Sequence, residues 1–282
     1  MEINWFPGHM AKALRSVKES LKKVDMVIET CDARIPFSSR NPELDKILGT
    51  KPRILVLNKS DLAEDSYTKA WIQWFENQGI KTISLEGTNK AAMKKLKDTC
   101  LTLCADKIKR AMNKGRLIRP IRAMVVGIPN TGKSTIINTM SGRKITAVSD
   151  RPGVTKSSQW VRSDDQLELM DMPGVLWPKI DDRESQICLA ATGAIRDTIL
   201  DAVEVAFETM QLLMRFYPSR LMDRYQIDPA AAEGFQLFEM AAKKRGCILS
   251  GGRIDTERFA VLFLDEVRGG RLGKMTLERP RL

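Results

Sequence analysis

GIPNTGKS, at residues 127–134, follows the apolar run AMVV at 123–126 and opens into KSTIINTM at 133–140. That order is a strand entering a loop that starts a helix. Gly127, Gly132, Lys133 and Ser134 satisfy the spacing GxxxxGK followed by Ser or Thr. The glycines let successive backbone N–H groups turn inward around phosphate oxygens, and the helix N-terminus adds its dipole. In such a loop Lys133 reaches the β and γ phosphates and the Ser134 hydroxyl ligates Mg2+. Asn130, Thr131 and Thr135 fall in the same phosphate-binding stretch.

A second signal, NKSD at 58–61, lies ahead of this loop, whereas an ordinary GTPase carries it behind. Asp61 supplies a carboxylate that accepts both the ring N–H and the exocyclic amine of guanine, donors that adenine does not offer in that geometry. A buried site built for such donors rejects analogues lacking them by up to about 10⁴-fold. Asn58 and Lys59 brace the loop and cover the base. Alone, NKSD has the plainer alternative of a polar turn after the strand ILVL at 54–57; paired with the phosphate loop, it reads as half of a rearranged nucleotide site.

DMPG at 171–174 ends another strand within reach of that loop. This spacing makes Asp171 a ligand of Mg2+ through water and Gly174 a γ-phosphate sensor. Thr155 is the candidate hydroxyl for completing the Mg2+ shell, with Thr146 the alternative. After DMPG comes Val175, where small signalling GTPases carry a water-orienting glutamine, and an apolar side chain cannot orient water. The only histidine, His9, is therefore the candidate catalytic group. Its plainer reading is a residue that caps or packs near the first helix.

The 282 residues, 43% of them hydrophobic, suffice for one or two cores, and length favours two domains. No apolar run approaches the roughly 20 residues that span a bilayer. The basic amphipathic stretch at 10–24 could suggest a transit peptide, but Glu2, Glu19 and the Pro7-Gly8 pair argue against one. Five scattered cysteines fit reduced thiols in a cytoplasmic protein, and one histidine without CxxC leaves little basis for zinc. The net charge is +11 and unevenly placed. Residues 1–180 hold 31 Lys and Arg against 19 Asp and Glu, while 181–282 hold 15 against 16. Eleven basic residues crowd into 90–122 against Asp98 and Asp106, the imbalance of a polyanion-binding surface, although a solvated helix face also accounts for it.

Met10, Leu14, Val17, Leu21 and Val24 form one helical stripe. Strands are expected at 26–29, 54–57, 82–85 and 123–126, helices at 65–78, 90–112 and from 133, and a hairpin turning at Asp164-Asp165. Strands alternating with helices give an α/β fold, a parallel sheet covered on both faces. From Glu184 the stripes Leu200, Val203, Phe207, Met210, Leu213, then Phe235, Phe238, Ala242, then Phe259, Leu262, Phe263 predict a mostly helical second domain. The domains divide at 1–180 and 181–282.

The reversed motifs, together with WFPGHM at 5–10, DARIP at 32–36, PGVT at 152–155, DMPGVLWP at 171–178 and KKRGCILSGG at 243–252, give a chain that resembles the circularly permuted GTPases of ribosome assembly. The resemblance spans essentially the whole length. It implies a P-loop GTPase fold in permuted order with a small C-terminal helical domain that binds RNA or ribosome. It further implies GTP hydrolysis late in maturation of the large ribosomal subunit, binding to ribosomal RNA and stimulation by the particle. The expected protein is monomeric when free and has no membrane partner. In the family the glutamine position is hydrophobic and an N-terminal histidine is implicated in hydrolysis, matching Val175 and His9. Asn130 matches an asparagine associated with K+ in related GTPases, so K+ joins Mg2+ as a candidate cofactor. Ser84 and Leu85 match the loop that backs the guanine, of which SLEG at 84–87 is a poor version. Met172 stands where threonine is usual, and Thr131 where valine is usual. Two rival readings are a nucleotide-gated RNA-binding factor in which hydrolysis only resets binding, and a P-loop ATPase or kinase with a coincidental NKSD.

Overall fold

The structure, a computed structural model, describes residues 7–115, 119–144, 158–177, 179–195, 201–229 and 232–280, with the backbone only at 7–11 and 111. Its sheet has six strands: β1 (Met26–Asp32), β2 (Arg53–Asn58), β3 (Lys81–Ser84), β4 (Ile121–Gly127), β5 (Gln159–Arg162) and β6 (Leu167–Asp171). They lie in the order β3-β2-β1-β4-β6-β5. Every neighbouring pair is parallel except the hairpin β5–β6. β1 is buried along its whole length, which is why MVIETCD lacks the alternation of a half-exposed strand. Its mid-strand acid, Glu29, is held by Arg40 and Arg53 at 3.1 Å each. The sheet places β1 between the strand that delivers NKSD and the strand that delivers GIPNTGKS.

Alternate residues of these strands feed opposite faces. On one face Ile28, Val56 and Val125 meet Met93, Leu96 and Cys100 of α4 (Lys90–Leu103) and Ile136 and Ile137 of α6 (Lys133–Ser141). On the other, Val27, Met124 and Val126 meet Val17 of α1 (Pro7–Ser20), Leu44 and Leu48 of α2 (Pro42–Leu48) and the buried Met172. The apolar environment under α1 is what accommodates methionine at 172. Leu55 and Leu57 pack on Trp71 and Phe75 of α3 (Asp65–Asn77).

The α/β alternation has its expected form, and Leu14, Val17, Leu21 and Val24 of the N-terminal stripe share one core, although α1 stops at Ser20 and a 3-10 turn over Leu21–Lys23 carries the chain on to Val24. The single basic helix does not keep its expected form. It turns at Cys104, whose N–H bonds back to Cys100 and Leu101, and resumes as α5 (Ala105–Asn113). The turn brings Lys107 to the buried Asp25, which Arg119 also contacts at 2.8 Å. The hydrogen bonds from these two side chains and from the Arg122 amide outweigh burial and lower the Asp25 pKa.

Beyond the sheet come α7 (Arg183–Ala191), α8 (Ala202–Phe216), α9 (Pro218–Tyr225), α10 (Phe235–Lys244) and α11 (Thr256–Arg268). Their apolar faces share one core, in which Met210, Leu213, Phe238, Phe259 and Phe263 are buried. Ile35, Ile128 and Leu176, from the loops at the sheet edge, belong to the same core. Among the described residues no helix is long and apolar enough to cross a membrane.

Candidate functional site

All the strand ends that matter here open on one edge of the sheet. β4 ends at Gly127, and the loop after it passes through Asn130 with φ of 60° before α6 begins at Lys133. The Lys133 side chain folds back, donating to the Ile128 carbonyl at 2.7 Å. It is buried, and burial pushes its ammonium down to about 8 despite the nearby carboxylate of Asp171. Ser134 and Thr135 follow in the first turn of α6. Thr131 bonds the Ile128 carbonyl at 3.0 Å and shares a 2.7 Å contact with the Thr30 hydroxyl of β1. Threonine at 131 thus has a polar partner that valine could not use.

Asp171 closes β6 with both carboxylate oxygens enclosed and without a geometrically complete hydrogen bond. Burial pushes its pKa up to about 6, against the pull of Lys133 and the nearby Ser134 hydroxyl. A buried carboxylate with unfilled acceptor capacity beside a serine hydroxyl is a fitting donor set for a hard divalent cation. No group of three or more His, Cys, Asp or Glu among the described residues could hold a metal unaided. A cation here would need further ligands, such as the phosphate oxygens that Mg2+ commonly takes. Gly174 lies against the phosphate loop, where an added Cβ would come within 2.8 Å of the Pro129 nitrogen and 3.0 Å of Lys133 Nζ. Val175 is buried, its N–H bonded to the Gly127 carbonyl and its own carbonyl accepting from Asn41 Nδ2 at 3.0 Å.

NKSD joins this assembly through Asn58, whose Nδ2 donates to the Thr131 carbonyl at 2.8 Å. The two motifs, far apart and reversed along the chain, therefore brace one another. Lys59 takes φ of 58° and places its ammonium 3.1 Å from Asp32. Asp61 is exposed on the same loop. The segment 84–87 reaches this loop mainly through its backbone. Leu85 accepts from the Ser60 N–H at 3.2 Å, Ser84 ends β3, and Gly87 lies against Asn58. Backbone contacts tolerate side-chain change, which accounts for a loose SLEG in a well-formed loop. His9 falls in α1, but its side chain, like the whole of Thr155, lies outside the described residues.

DARIP carries more of the site than its sequence announced. Asp32, at the end of β1, accepts from Arg34 Nε at 2.9 Å and Nη2 at 2.8 Å, and its carboxyl is held well below the usual range by Arg34 and Lys59. The C-terminal segment straps this loop down. Met275 N–H bonds Leu62, Leu277 N–H bonds Arg34, and Glu278 accepts from the N–H groups of Phe37 and Ser38 at 2.7 and 3.0 Å. An acidic residue flanked by arginine at a strand end was the available signal, but its partners lie at the far end of the chain.

A family model described as "50S ribosome-binding GTPase" matches residues 122–221. The chain is 46% identical to ribosome biogenesis GTPase A of Bacillus cereus, covering 99% of this chain and 95% of that protein. It is 34% identical to mitochondrial ribosome-associated GTPase 1 of Mus musculus, over 98% of this chain and 90% of that protein. Among solved structures, GNP-bound YlqF of T. maritima aligns with a TM-score of 0.69 at 28% identity, covering 96% of this chain and 99% of that one. The near-complete coverage extends the likeness to both the permuted nucleotide fold and the helices that follow it, and the chain is a GTPase belonging to the ribosome biogenesis GTPase A family.

Proposed function

We propose that the protein is a GTP-hydrolysing assembly factor acting late in maturation of the large ribosomal subunit, in contact with ribosomal RNA. The observation that carries the nucleotide half of this reading is the Asn58–Thr131 bond, which fastens the guanine-reading loop to the phosphate loop. Asp61 reads guanine with Asn58, Lys59, Ser84 and Leu85 around it. Asn130, Thr131, Gly132, Lys133, Ser134, Thr135 and Gly174 surround the phosphates. Ser134, Thr155 and Asp171 would hold Mg2+, whose charge offsets that of the phosphates, and Asn130 is the candidate for K+. His9 assists hydrolysis, because Val175 has no polar group with which to direct water.

The RNA half rests on charge. Within 90–122, Lys97, Lys107, Arg119 and Arg122 are committed to Asp164, Asp25 and Glu168. Lys90, Lys94, Lys95, Lys109, Arg110 and Lys114 remain exposed, with no ion pair among the described residues. A row of uncommitted cations along α4 and α5 suits a phosphate backbone. We assign residues 1–180 to the GTPase domain and 181–282 to a helical domain that also faces the particle, in a cytoplasmic protein that is monomeric when free.

A GTPase assay with and without purified large ribosomal subunits tests the reading. Turnover should rise with subunits and fall again as salt is raised. Equal rates with and without subunits would leave a GTP-gated binding factor, and tighter binding of ATP than GTP would overturn the guanine assignment.

A further inference from the structure

Two arginines outside the nucleotide motifs connect the guanine loop to the phosphate loop through the helical layer. The path starts at Lys59 of NKSD, 3.1 Å from Asp32. Asp32 holds Arg34 by two bonds, and both side chains are buried, with 3% and 2% of their surfaces exposed. The remaining Arg34 nitrogen, Nη1, donates to the carbonyls of Val267 and Arg268 at 3.3 and 3.2 Å. These are the last two residues of α11, whose carbonyls have no partner within the helix.

Arg268 repeats the arrangement one layer further on. Its guanidinium donates to the carbonyls of Ala190 and Ala191, the last two residues of α7, at 2.9 and 3.2 Å. The next carbonyl along, that of Thr192, accepts Asn130 Nδ2 of the phosphate loop at 2.9 Å. Gly193 makes room for this meeting, since a Cβ there would come within 3.0 Å of Asn130 Nδ2 and 3.4 Å of Arg268 Nε. Each arginine places a cation at the negative end of a helix, where it is stabilising, and adds a side-chain donor to carbonyls of which Val267 and Ala190 also accept from the N–H groups of Gly270 and Gly193.

We propose that Arg34 and Arg268 are positioning residues for nucleotide binding, a clasp that uses the ends of α11 and α7 to fix the separation of the guanine and phosphate loops. Neither arginine need touch the nucleotide. Asn58 sets the direct contact between the loops, while the clasp sets the orientation of Lys59 on one side and Asn130 on the other. The helical layer is then part of the frame that decides affinity. By linkage, a macromolecule that displaces the end of α7 or α11 changes nucleotide affinity by the factor that nucleotide changes its own. The inference rests on the roles proposed for NKSD and the phosphate loop.

The test is equilibrium binding of a fluorescent GDP to the full-length protein. Arg268→Met should weaken binding about 10-fold, within the usual range of coupling between sites. Its effect should be sub-additive with that of Asn130→Ala in a double-mutant cycle, because both cut the same path. A merely structural Arg268 would lower the melting temperature yet leave the affinity of the folded protein unchanged, or give additive effects, and either result overturns the proposal. Should Arg268→Met fail to fold, Arg34→Lys keeps the charge beside Asp32 while losing the fork that reaches α11, and the same loss of affinity is expected. Failure of the wild-type protein to bind GDP would instead overturn the nucleotide-site reading itself.

Discussion

Two acid–base pairs sit at ends of parallel strands in one sheet, and they are built in opposite ways. At the end of β1, Asp32 is saturated by Arg34 and Lys59, and its carboxyl is held far below the ordinary range. At the end of β6, Asp171 is enclosed with its oxygens unfilled, its pKa pushed up to about 6, and Lys133 beside it pushed down to about 8. Both pairs are buried, so burial alone does not separate them. Hydrogen bonds to the charged form do. The first pair is framework, complete without a ligand. In the second, Lys133 and Asp171 offset one another only in part, the arrangement expected of the phosphate and cation site proposed above.

The largest effect should come from breaking the saturated pair. Asp32→Ala leaves the Arg34 guanidinium buried without its carboxylate, and urea unfolding should show a loss of about 3–5 kcal/mol. A loss below about 1 kcal/mol would erase the distinction between the two pairs. Lys133→Met should do the reverse. It removes a poorly solvated ammonium, so the ligand-free protein should be at least as stable, while GTP binding measured by calorimetry falls about 10²-fold or more, the scale of one preorganised donor at a charged group. Lower stability with unaltered binding would assign Lys133 to the framework instead.

The smallest effect belongs to Glu278, satisfied by backbone N–H groups and serine rather than by a cation. Burial raises it to about 7 from 4.5, with the Glu184 charge adding to the rise and the bonds to Ser38 and Phe37 opposing it. Its contribution to stability is therefore fully present below about pH 4.5 and is lost as pH rises through about 7. Glu278→Gln should flatten that fall in melting temperature between pH 5 and 8, and an unchanged profile would mean that the carboxylate is better compensated than its partners suggest.

Much of this arrangement was legible in the chain, and the reasons differ by element. The phosphate loop and the permuted order could be read because their chemistry is local: glycines, lysine and serine at fixed spacing between a strand and a helix. Buried strands such as ILVL at 54–57 announced themselves by apolar continuity. The break at Cys104 could not be read, because it occurs inside a run of good helix formers. Arg34 was equally opaque. It lies two residues from its acid, but the contacts that explain it, with Val267 and Arg268, cross more than 230 residues. SLEG looked deficient because side chains were the only thing to judge, whereas Leu85 contributes a carbonyl.

The strap formed by residues 275–278 has a consequence in time. A chain emerges from its ribosome N-terminal end first, at about 5–20 residues per second. Phe37 is complete long before Glu278, its partner 241 positions later, has been translated. The strands of the sheet pair through nearer neighbours, but the loop after β1 gains these partners only once residues 277 and 278 have been made. Contacts this distant slow folding. During translation the loop that carries Asp32 and Arg34 therefore waits on residues 277 and 278 for partners that lie more than 230 positions further along the chain.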